Sequence, residues 1–100
     1  MPEVSKNKIV YGDGFLRDVR KLPKEVQSKL ADLLTLLALN AFDSRLHSKA
    51  LGIPLEGVYS FRVTRDWRVG FIFIASHEIK LLAVDNRDAI YQRLKRLLGK

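Results

Sequence analysis

Apolar residues three and four apart dominate the first half of the chain, and apolar residues two apart dominate the second. Val26, Leu30, Leu33 and Leu37 recur at i, i+4, i+7 and i+11, the stripe of one helix face. Leu34, Leu36 and Leu39 widen the stripe, so this helix is expected to be buried over much of its circumference. Pro23 suits its first turn, where a missing N–H costs nothing. Upstream, Phe15, Val19 and Leu22 give one short amphipathic helix. It follows a strand from Lys8 to Tyr11 and a Gly12-Asp13-Gly14 turn, in which Asp13 can cap the helix. The two helices form a hairpin joined at Lys21-Leu22-Pro23.

Between Asn40 and Gly57 no period persists, and Gly52, Pro54 and Gly57 mark a loop with at most a short helical turn. Three alternating runs follow. Val58 to Thr64 puts Tyr59, Phe61 and Val63 on one face and Ser60, Arg62 and Thr64 on the other. Trp67 to Ala75 aligns Val69, Phe71 and Phe73, and after Ser76-His77-Glu78 the run Ile79 to Val84 returns. Both connections are short, so neighbouring strands should pair antiparallel. From Arg87 onward Ile90, Leu94, Leu97 and Leu98 restore helical spacing, with Arg93, Lys95 and Arg96 on the wet side. The expected order is β-α-α-β-β-β-α over residues 1–100. It makes one α+β domain with helices on one face of a small antiparallel sheet.

Composition narrows the classes. An apolar fraction of 47% is that of a globular chain, and cysteine is absent, which fits a reducing compartment. The N-terminal residues carry no apolar core of signal-peptide length, and Leu30 to Ala41 is too short to cross a bilayer. A cytoplasmic protein without a membrane partner is expected. The net charge of +7 attracts polyanions: nucleic acid, a ribosome or an acidic protein segment.

Part of that charge falls where strands meet. Arg62, Arg65 and Arg68 bracket the turn between two strands, and Arg87 and Tyr91 lie where the last strand gives way to the final helix. In an antiparallel meander these points can converge, and the Ser60/Arg62/Thr64 face has the composition of a sheet face left open for a ligand. A phosphodiester gains negative charge on its nonbridging oxygens as it passes through a five-coordinate state, and a guanidinium fork can hold two of them. Solvated strand-edge charges that deter aggregation would present the same spacing, so both readings stand at this level. His47, in Arg45-Leu-His-Ser-Lys49, has an imidazole suited to general-base work; it serves equally as a pin for its loop. Trp67 is either a base-stacking platform or core. Asp66 orients Arg68 or the histidine, or caps the turn, and His77 reads as plain surface. Two histidines without cysteine and with scattered carboxylates give no metal-ligand spacing, so neither metal nor cofactor is expected.

The string from Gly57 to Phe71 (GVYSFRVTRDWRVGF) resembles the strand-turn-strand signature of RelE/ParE-type toxins. Val84 to Tyr91 (VDNRDAIY) is similar to that family's closing element, and Phe15 to Pro23 (FLRDVRKLP) to its helical opening. The resemblance implies the toxin of a type II toxin–antitoxin system. In its RelE-like branch the toxin enters the ribosomal A site and cuts mRNA without a metal: the RNA's own 2′-hydroxyl attacks the adjacent phosphorus. Carried over position by position, Arg62 matches a basic strand residue. Arg68 and Arg87 become the phosphate clamp, and Tyr91 the residue that stacks on or bonds the nucleotide. His47 falls where several members carry a histidine, and Lys49, Arg65 and Trp67 join as RNA-binding positions. Ser60 departs from the pattern, since some nucleolytic members have a lysine near that place, which puts the general base in doubt. A cognate antitoxin is the further partner implied. A ParE-like inhibitor of DNA gyrase, or an RNA- or ribosome-binding module with impaired catalysis, are the alternatives.

Overall fold

The strand Lys8–Tyr11 (β1) opens a computed structural model that describes residues 6–100; residues 1–5, over which part of the leader reading was made, lie outside the described residues. Two helices follow, Phe15–Arg20 (α1) and Lys24–Leu39 (α2), then a 3₁₀ turn Ser44–Leu46 and a two-residue strand Lys49–Ala50 (β2). Strands Val58–Arg62 (β3), Trp67–Ala75 (β4) and Glu78–Asn86 (β5) lead into the closing helix Ile90–Leu98 (α3). The sheet order is β1-β5-β4-β3-β2, antiparallel except where β1 runs parallel to β5.

The α+β class and the expected elements are present, with β2 as an addition. Two residues of strand leave no period to detect, which is why the 40–57 segment looks like loop alone. Two terminal details differ. Gly14, in the left-handed region at φ 84°, caps α1 in place of Asp13, and Pro23 precedes α2 without entering it.

Sidedness differs at one element. The Tyr59/Phe61/Val63 and Val69/Phe71/Phe73 faces pack with Ile79, Leu81 and Val84 under α1 and α2, as the alternation implies. The other face is not bare. Val58, Leu82 and Ala83 join Ile90 and Leu94 of α3 in a second core, so α3 lies across the sheet from the helical hairpin. A bulge makes this possible: Gly70 faces Ala83 while Phe71 faces Leu81, which leaves Leu82 as an extra residue and turns two neighbours toward α3. Gly70 is where the helix rests. A Cβ there would stand 2.5 Å from one methyl of Leu94, so only glycine lets α3 approach this closely.

The edge of β5 explains a buried charge that the periodicity does not reveal. β1 ends its pairing at Tyr11–Leu81, and α1 takes over beside the rest of β5. There Asp18, only 8% exposed, accepts the Val84 N–H (3.3 Å) in place of a missing strand partner. The same carboxylate receives Arg93 of α3 at 2.8 Å on both oxygens, and a second arm of Arg93 reaches Asp85 at 3.2 Å. Arg93, read from periodicity as a wet-side residue, is thus the bolt that joins α1, β5 and α3. The Asp18 hydrogen bonds are the first cause of a guanidinium pKa raised above its ordinary value. Replacing Asp18 by alanine strands Arg93 and the Val84 N–H together. A loss of about 3 kcal/mol is expected from such a broken pair, measurable by urea unfolding. Asp18→Asn should cost less.

Candidate nucleic-acid interface

Register decides which charges meet. Arg62 of β3 stands directly opposite Arg68 of β4, and Arg68 opposite Asp85 of β5. Paired residues point to the same side of a sheet, so these three form a row on the α3 face. The next row is Lys49, Ser60, Gly70 and Ala83. Its centre is sealed by Leu94, and Ser60 is 1% exposed. The face that composition suggested was open is therefore closed at Ser60 and accessible only from Arg62 and Arg68 outward.

Arg87 and Arg65 lie at the same end of the sheet as that row. The Arg87 N–H donates to the Asp66 carbonyl at 2.8 Å, which ties the exit of β5 to the β3–β4 turn carrying Arg65. Asn86 shapes the same exit, its side-chain oxygen accepting the N–H groups of Asp88 and Ala89 at 3.0 and 2.9 Å. This asparagine turn was legible in principle from the Asn-Arg-Asp-Ala string but was not singled out. Tyr91 lies on α3 one turn before Leu94. With Lys95, Lys49 and the loop Ala50–Leu55 it lines a groove of about 410 Å³, and Lys95 was not foreseen as part of it. Trp67 lies on the opposite side of the sheet from the arginine row, half-buried against the core under α1 and α2, in a recess with Asp18, Lys21 and Leu22. Odd and even positions of one strand point to opposite faces, and Trp67 follows Val69, not Arg68.

His47 closes the 3₁₀ turn in the left-handed region, φ 52°, with its ring exposed and in no hydrogen bond to the described residues. It does not pin its loop through the imidazole. The pin is Asp43, which accepts the Arg45 N–H at 2.9 Å and the Arg45 guanidinium at 3.0 and 2.9 Å. Those bonds, the side-chain one first, hold the Asp43 carboxyl at about 2. A depressed carboxyl stabilises above its ordinary value of 3.8 and loses that contribution as pH falls through about 2. The loop is thus fully braced at neutral pH. The β2–β3 pairing ends at Lys49–Ser60, and His47 stands two residues beyond it, in the turn that leads into β2. Asp66 neither orients Arg68 nor caps the turn with its carboxylate: its N–H bonds the Thr64 hydroxyl and its carbonyl takes Arg87.

The electrostatics of the row are unusual. Ion pairs among the described residues are Arg45–Asp43, Arg93–Asp18 and Arg93–Asp85. None involves Arg62, Arg65, Arg68, Arg87, Lys49 or Lys95. Like charges directly opposite in a sheet cost a few tenths to about 1 kcal/mol, and here two guanidiniums face each other with no acid between them. An anion from outside would relieve that cost.

With this geometry in hand, likeness to known structures can be weighed. YafQ from E. coli superposes with a TM-score of 0.70 at 21% identity, over 86% of this chain and 99% of that one. The fold is that of the RelE/ParE-type toxins. An archaeal RelE–RelB complex from Pyrococcus horikoshii gives a TM-score of 0.68 at 17% identity over 82% and 96% of the chains. A YoeB/ParE toxin from Agrobacterium tumefaciens gives 0.70 at 17% over 80% and 98%. No protein-family model matches the sequence, and the curated proteins contain no significant match. No helix among the described residues is long and apolar enough to cross a membrane.

Proposed function

We propose that the protein is the toxin of a type II toxin–antitoxin pair and cleaves mRNA on the ribosome. The observation that carries this reading is the opposed, unpaired Arg62–Arg68 row at the accessible end of the α3 face. Arg62 and Arg68 would hold the nonbridging oxygens of one phosphodiester, with Arg87 at the same end of the sheet. Tyr91 and Lys49 would receive the neighbouring nucleotide in the groove below. The 2′-hydroxyl attacks phosphorus, its proton passes to His47, and the P–O5′ bond breaks as the departing 5′ oxygen takes a proton from solvent water, leaving a 2′,3′-cyclic phosphate and a 5′-hydroxyl end. No redox partner is needed. Donors fixed where charge develops contribute without reorganising, and a phosphate entering the row exchanges guanidinium repulsion for two charge-assisted forks. Similar folds solved as RelE–RelB and DinJ–YafQ complexes support a protein antitoxin as partner, and the net charge of +7 favours an acidic one.

Purified protein added to programmed ribosomes should produce discrete mRNA 5′ ends bearing a hydroxyl. Intact message at saturating protein, with DNA supercoiling inhibited instead, would overturn this in favour of a gyrase inhibitor. His47→Gln should lower the single-turnover rate by about 10². A rate unchanged in the variant would assign the proton to another group.

A further inference from the structure

Arg68 has an aspartate as its direct cross-strand partner, Asp85, and yet forms no ion pair with it. The reason is visible at the β5 edge. Asp85 leans away from the row: its Oδ1 accepts the Asn86 N–H at 2.8 Å, and its Oδ2 accepts Nη1 of Arg93 at 3.2 Å while the other arm of the same guanidinium is spent on Asp18. We propose that Arg93 is a positioning residue that holds Asp85 off Arg68 and so keeps Arg68 free for phosphate. The inference rests on the nuclease reading for its consequence, though not for its geometry.

The argument is one of competition for a carboxylate. Opposed side chains on neighbouring strands start within about 5.5 Å at their Cβ atoms, so Asp85 and Arg68 are close enough to pair without moving the backbone. Such a pair would remove one fork from the phosphate site and place a negative charge beside the incoming anion. Only a planar fork can serve Asp18 and Asp85 together; a lysine ammonium is a single point and would stay with the more buried Asp18. Lys21 lines the same recess as Asp85 and Arg93 and is the other cation near a released Asp85. Arg68 lies outside that recess but directly opposite Asp85 in the sheet register.

Four proteins test this: the wild type, Arg93→Lys, Asp85→Asn and the double variant. With Arg93→Lys the Asp85 carboxylate turns to Arg68, and single-turnover cleavage falls roughly tenfold, a coupling of ordinary size for neighbours in one network. The same lysine substitution made on top of Asp85→Asn lowers cleavage less than about threefold, because no carboxylate remains to capture Arg68. Nuclear magnetic resonance gives a readout that needs no activity: exchange of the Arg68 Nε–H slows in Arg93→Lys and returns to the wild-type rate in the double variant. An equal fall in both backgrounds, or an Arg68 signal unmoved by Arg93→Lys, overturns the inference and leaves Arg93 as a brace for α3 alone. If the wild type cleaves nothing, the nuclease reading fails while the resonance arm still decides the role of Arg93. Should Arg93→Lys not fold, Arg93→Gln combined with Asp18→Asn releases Asp85 without a buried unpaired charge and gives the same comparison.

Discussion

Arg68→Ala is expected to lower mRNA cleavage by about 10²–10³-fold, the usual consequence of losing one well-placed donor to developing charge. It should not weaken the fold. Arg68 faces Arg62 across β3 and β4, and neither guanidinium forms an ion pair among the described residues, Asp85 opposite Arg68 being bonded to Arg93. Removing one relieves a like-charge contact worth a few tenths to about 1 kcal/mol, so Tm should hold or rise by up to about 4 °C. Arg62→Ala should behave alike, and the double variant should lose less than the product of the two, since both forks act on one phosphate. A charge placed on a strand merely to deter aggregation predicts the reverse pattern, with activity retained and solubility reduced. Single-turnover cleavage and a thermal melt on the same preparation separate the two.

The largest expected effect on stability belongs to Leu94→Ala. Leu94 is fully buried between α3 and the sheet, its methyls resting on Gly70. Truncation should cost about 3 kcal/mol through lost burial and the cavity left behind, lowering Tm by about 15 °C in a domain of this size. The companion change sharpens the test. Gly70→Ala alone adds a methyl 2.5 Å from a Leu94 methyl, so the buried Leu94 side chain must shift, at a cost of about 1–3 kcal/mol. Combined with Leu94→Ala, that methyl finds the space just vacated. The pair should be less destabilising than the sum of its parts, an interaction of about 1 kcal/mol or more. Additive losses would mean that α3 does not rest on Gly70.

Most of the fold is legible in the residue pattern because each face reports its own surroundings. The Val26/Leu30/Leu33/Leu37 stripe and the Tyr59/Phe61/Val63 alternation point to the core they enter. What the pattern hides is long-range. Gly70 and Ser60 look like an uncovered, weakly polar strip, and only the approach of Leu94 makes them interior. The extra residue at Leu82 cannot be seen in a strand whose partner register is unknown. Arg93 and Asp18 lie 75 positions apart, each on the nominally wet side of its helix, and their pairing depends on where β1 stops.

The site divides in the same way. Arg62 and Arg68 are brought together because hairpin register is set by a short turn, which local sequence does encode. Tyr91 and Lys49 share a groove only because α3 crosses the sheet toward β2, which periodicity does not encode. Trp67 separates from its neighbour Arg68 for an elementary reason, the alternation of strand side chains. Applied at that residue, it would have placed the indole in the core from the start.

A structure of the protein on a programmed ribosome, with the message 2′-O-methylated at the A-site codon to block attack, tests the central claim most directly. The account predicts one mRNA phosphate within hydrogen-bond distance of both Arg62 and Arg68, with a base in the groove beside Tyr91. Message lying on the α1–α2 side of the sheet, or passing the arginine row without a phosphate contact, would contradict it.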